Sequence, residues 1–162
     1  MQTKLTVVWV AVWVAAWLAT LAGPSCALAQ ARPVAVVVSE KNPVHDLTTQ
    51  ELRKLFTGEK RFWTGGLPVK LFVRAPGAYE RVVLLKLLGM SESEYMHYWS
   101  AQVFKGEAQA APVALFSNGM QREALVAFPG AVALVSSEDV KPGMKVVRLD
   151  GHLPGEPGYA LN

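Results

Sequence analysis

Residues 33–58, PVAVVVSEKNPVHDLTTQELRKLFTG, decide the fold class. The segment opens with a β-branched run, Pro33 to Val38, that has no polar alternation. A strand buried on both faces reads this way, because neither side has to meet water. Some ten residues on, Thr48 and Glu51 have the Thr-x-x-Glu spacing of a capping box. In that motif the threonine hydroxyl accepts the third helical N–H and the glutamate reaches back to the cap N–H. Leu47 and Leu52 flank the box at staple spacing, and Gly58 closes the segment, which predicts a helix running to about Phe56. One strand therefore feeds one helix.

The same grammar continues outward. Gly65-Gly66 makes a turn before a predicted strand, Val69 to Val73. A second helix, about Tyr79 to Leu88, carries Val82, Val83, Leu85, Leu87 and Leu88 and stops at Gly89 in a left-handed cap. Ser91 and Glu94 repeat the capping box for a third helix through Tyr95, Tyr98 and Trp99. A loop with Pro112 leads to a fourth helix, about Asn118 to Ala127, closed by Pro129-Gly130; Ala131 to Val135 and Lys145 to Leu149 read as strands. There are no internal repeats or low-complexity tracts. Helices between apolar strands imply an α/β layer with a mostly parallel sheet.

Toward the amino terminus the composition changes. Lys4 is followed by an apolar stretch from Leu5 to Ala22, then Gly23-Pro24-Ser25 and the small-x-small pattern Ala27-Leu28-Ala29. This is the order of a cleavable secretory signal over residues 1–29, with Gln30 as the first mature residue and one α/β domain over residues 30–162. An uncleaved inner-membrane anchor is the alternative, because the stretch approaches bilayer length. Lipid attachment at Cys26 is disfavoured by the Gly-Pro-Ser context before it. Cleavage removes the only cysteine and Trp9, Trp13 and Trp17, leaving a thiol-free chain suited to an oxidising compartment such as the periplasm. Of sixteen basic residues only Lys4 leaves with the signal, so the mature excess over thirteen acidic residues is small. No stretch clusters Lys and Arg, which argues against nucleic acid as a partner.

Chemistry-bearing patterns are sparse. His45, His97 and His152 are scattered without a second ligand at metal spacing, so no metal is expected. No serine sits in a nucleophile elbow and no glycine-rich loop matches a phosphate cradle. Ser91, Glu92, Ser93 and Glu94 are accounted for by helix capping. The residues point to no catalytic group and no cofactor, and an enzyme is the least favoured class.

The order of motifs resembles the phosphate-type periplasmic substrate-binding proteins of ABC transporters. Asn42-Pro43-Val44, Leu47-Thr48, Glu51-Leu52, Leu55-Phe56-Thr57-Gly58 and Trp63-x-x-Gly66 are similar to the segment where that family's strand enters a helix. Arg74-Ala-Pro-Gly77 resembles the family's Arg-x-x-Gly-Ser-Gly-Thr, and Pro129 to Val135 its late Pro-Gly-Ala-Ile-Gly-Tyr-Val strand. The likeness runs from about Val34 to Leu149. It implies a type II periplasmic-binding-protein-like α/β domain, mainly one lobe, with a mixed sheet flanked by helices, since complete members close two lobes over the ligand. It also implies a ligand-binding set: Arg74 and Gly77 match the family, while Ala78, Tyr79 and Glu80 stand where Ser, Gly and Thr are expected. The substitution removes two hydroxyls and adds a carboxylate, which repels an anion even as the helix N-terminus attracts one.

That likeness leads to two expectations of function. One is binding of a small oxyanion such as phosphate, with an ABC permease as partner. The other is a ligand-free module that keeps the fold and binds an envelope protein, with Phe62, Trp63, Tyr95 and Trp99 as contact candidates. Core packing is the favoured explanation of those aromatics, because helical spacing accounts for Tyr95, Tyr98 and Trp99.

Overall fold

The computed structural model describes residues 32–162. The signal and its cleavage site lie outside the described residues. The order is β1 (Val34–Ser39), β2 (Asp46–Leu47), α1 (Thr49–Phe56), β3 (Lys70–Arg74), α2 (Tyr79–Leu88), α3 (Glu92–Phe104), β4 (Val113–Leu115), α4 (Asn118–Ala127), β5 (Ala131–Ser136), a short 3-10 turn (Ser137–Asp139) and β6 (Met144–Leu149). Among the described residues no helix is long and apolar enough to cross a membrane.

The strands form one sheet in the order β2-β6-β1-β5-β3-β4. Every residue of β1 is buried, and alternate residues serve opposite faces. Val34, Val36 and Val38 join Leu52, Leu55, Phe56, Leu84 and Leu87 on the face covered by α1 and α2. Ala35 and Val37 join Ala131, Ala133, Val135 and Leu125 on the other, where small side chains let α4 approach. Both faces of a strand dry is the condition that its unalternated sequence describes.

The sheet is mixed and flanked by helices, as the resemblance implies, and not mostly parallel as element order alone suggests. β3 runs parallel to both β4 and β5, and β2 parallel to β6, but β1 is antiparallel to β5 and to β6. Apolar periodicity carries no information on strand direction, and the reversal becomes legible only in the register. Val34 faces Ser136 at the end of β5, whereas Ser39 faces Met144 at the start of β6. Residues 137–143 therefore run back along the whole length of β1, a span an extended chain of that size can cover at about 3.3 Å per residue.

Both capping boxes form. Thr48 accepts from the Glu51 N–H and Ser91 from the Glu94 N–H, each with the reciprocal glutamate bond, and Gly89 ends α2 at φ 69°. Two strands are not expected from the sequence: β2 is only two residues long, and β4 begins directly after Pro112, in the stretch read as a loop, where the proline has no N–H for a ladder. The carboxyl-terminal tail is also structural. Val34 N–H donates to Leu161 O at 3.0 Å, and the Tyr159 hydroxyl donates to Val34 O at 2.8 Å while accepting from Val36 N–H at 3.3 Å.

Candidate functional site

The carboxyl ends of β3, β4 and β5 lie side by side, the place where open α/β sheets gather ligands. Arg74 is the last residue of β3. The chain then turns through Ala75-Pro76-Gly77-Ala78, closed by the Ala78 N–H on Ala75 O at 3.2 Å, with Gly77 at φ 86°. Proline followed by a glycine at positive φ is the chemistry of a type II turn. Ala78 is the N-cap of α2 and offers no side-chain acceptor, so the first N–H groups of the helix need another partner.

Glu80 is the acidic residue of that first turn. Its side chain is only 6% exposed and folds back over the helix start, taking the Ser136 hydroxyl at 2.9 Å and the Ser136 N–H at 3.3 Å on Oε1. Its Oε2 lies 3.6 Å from Arg74 Nε. The Arg74 side chain is itself 15% exposed, and its Nη1 donates to Leu115 O at 3.2 Å, the carbonyl that also receives the Ala75 N–H. Burial pushes the Glu80 carboxyl up, but the Glu80 backbone N–H, the two Ser136 donors and the Arg74 charge outweigh it and hold the group below the ordinary carboxylate range.

A carboxylate thus occupies the position between a guanidinium, a hydroxyl and backbone N–H groups, a donor set suited to an oxyanion. Of the five residues expected from sequence, Arg74 and Glu80 meet, Gly77 and Ala78 shape the turn, and Tyr79 is 42% exposed. Ser136 and the Leu115 carbonyl are not among those five. The one available signal was a serine closing the buried apolar run of β5. Around the pair, Ser117 caps α4 through the Met120 N–H, and Asn118 donates to Asp139 at 2.7 Å.

The aromatic contact candidates divide differently. Trp63, Tyr95 and Trp99 are at most 4% exposed; Trp63 Nε1 donates to Gly130 O at 2.9 Å, and Tyr95 packs edge-on against Trp99. They are core residues and not surface contacts. Of the four, only Phe62, at 59%, is exposed. Among the described residues no three His, Cys, Asp or Glu side chains come together to hold a metal.

No family model matches the chain. Among solved structures it is similar to an ABC-type phosphate transport receptor from Vibrio cholerae, at 22% identity and a TM-score of 0.61, over 75% of this chain and 48% of that one. It is similar also to a putative phosphate ABC transporter substrate-binding protein with bound phosphate from Clostridium perfringens, at 19% identity and 0.60, over 74% and 45%. PstS from Borrelia burgdorferi matches at 14% identity and 0.55, over 75% and 49%. The chain has the periplasmic-binding-protein-like fold, and it spans about half the length of the structures it matches.

Proposed function

We propose that this is an exported, periplasmic module of the phosphate-type substrate-binding fold whose anion seat is filled from within by Glu80. It acts by engaging another envelope protein, with an ABC permease as the first candidate, and does not capture free phosphate. The observation that carries the reading is the closed set of Arg74, Glu80 and Ser136, in which the charge that would hold an oxyanion is already neutralised. Around the closed seat the same end of the sheet exposes Tyr79, Phe116 and Met120, and exposed large apolar side chains favour a protein contact.

A weak phosphate-binding reading has one observation in its favour: Arg74 Nε is buried and makes no hydrogen bond. Thermal melting with phosphate or sulfate separates the two. A ligand of the folded state raises the melting temperature by mass action, so the proposed module shows no shift at tens of millimolar of either ion. A shift that saturates with phosphate and vanishes in Arg74→Ala would replace it with the binding reading.

A further inference from the structure

At the amino-terminal end of β3, away from Arg74, lies a groove of about 550 Å³. It exists because pairing between β3 and β4 starts only at Phe72 and Val113. Lys70 and Leu71 have β5 on one side, and on the other the chain before Pro112 stands off. Leu71 and the exposed Val113 contribute apolar surface, and the exposed Phe62 stands on the wall. The volume falls in the range of small-molecule sites, which are apolar with a few polar anchors.

Charge decides the class of occupant. Lys60, Arg61 and Lys70 line the groove against one acid, Glu107. Lys60 is engaged by Glu51 at 2.9 Å, and Lys70 Nζ lies 5.2 Å from the Phe128 ring centre. Arg61 is exposed, meets no carboxylate within 4.0 Å among the described residues, and has only its Nε on the Gly58 carbonyl at 3.3 Å. A guanidinium without a carboxylate beside an apolar groove is complementary to an anionic head on an apolar body. We propose that this groove binds a small amphipathic organic anion, a carboxylate or sulfonate on an aromatic or aliphatic body, with Arg61 holding the head and Phe62 and Leu71 the body.

The test is a fluorescence titration with anilinonaphthalene sulfonate, using uncharged phenylnaphthylamine as the comparison. The expected result is saturable binding of the sulfonate, about fivefold tighter than the uncharged dye. Arg61→Glu loses that advantage, Ala111→Trp abolishes binding by filling the groove, and Arg122→Glu on α4 changes nothing. Equal affinity for the two dyes overturns the proposal. So does unchanged binding in Arg61→Glu or Ala111→Trp, or an equal loss in Arg122→Glu.

Discussion

Arg74 and Glu80, six positions apart across a Pro-Gly turn, hold each other with Nε 3.6 Å from Oε2 inside a site from which both side chains are largely shielded. A buried charge without a partner is costly, so the strength of the pair shows when one member is removed. Glu80→Ala leaves the guanidinium uncompensated and strips the Ser136 hydroxyl and N–H of their acceptor. A loss of about 3 kcal/mol in urea denaturation is expected. A loss under about 0.5 kcal/mol would show that the pair is open to water.

The same pair gives a pH dependence with a definite sign. The Glu80 carboxyl is held below its ordinary value of 4.5 in the folded protein, so the folded state favours the ionised form. Its contribution is complete above pH 4.5 and is lost as pH falls through the folded value. Acid denaturation of Glu80→Gln should therefore be less steep over that range than that of the unaltered protein. Identical acid profiles would contradict the assignment.

The capping boxes make a matched pair of predictions. Thr48→Ala and Ser91→Ala each leave a helix N–H without its acceptor, and each should lower stability by about 0.5–2 kcal/mol. Glu51 reports on the first box: the Thr48 N–H, with help from Lys60, pulls its carboxyl down to about 2. Titration followed by carbon-detected magnetic resonance should find Glu51 still ionised at pH values where ordinary glutamates are protonated, and moved upward in Lys60→Ala.

Tyr159 fastens the tail to the central strand β1. Its phenol is pushed up to about 12 by burial, against the Val36 N–H, which pulls it down. A raised phenol pKa means stability that is complete below the ordinary value of 10 and lost as pH rises from there toward 12. Tyr159→Phe removes the hydroxyl donor to the Val34 carbonyl and the contact with the Val36 N–H, and should cost about 1–3 kcal/mol, read by chemical denaturation.

Gly130 is a packing necessity. A Cβ there would meet the Pro68 carbonyl oxygen at 1.9 Å, and its own carbonyl accepts from Trp63 Nε1 and from the Lys70 N–H. Backbone cannot yield as a flexible side chain does, so Gly130→Ala should destabilise by about 3 kcal/mol. A neutral melt would mean that the 61–69 segment sits elsewhere.

The features legible in the sequence are local ones. Capping boxes at Thr48 and Ser91, the αL glycine at Gly89 and the unalternated run of β1 each have a short-range cause, and each appears where the residues put it. The direction of β1 was hidden because a strand buried on both faces looks the same in either orientation. β4 was hidden because three residues after a proline leave no period to detect. Arg74 and Glu80 could be marked from their neighbours, but Ser136, 56 positions further on, reaches Glu80 only because β5 lies beside β3 in the sheet.

That Glu80 stands in the anion seat is tested most directly by calorimetric titration of phosphate into the unaltered protein, Glu80→Thr and the double variant Glu80→Thr with Arg74→Ala. No binding heat is expected from the unaltered protein at about 1 mM phosphate, and a millimolar affinity is expected in Glu80→Thr, where the repulsion is gone and a hydroxyl is restored. The double variant should be silent again. Saturable binding of phosphate by the unaltered protein, undiminished by Glu80 and unimproved by its replacement, would contradict a seat filled from within.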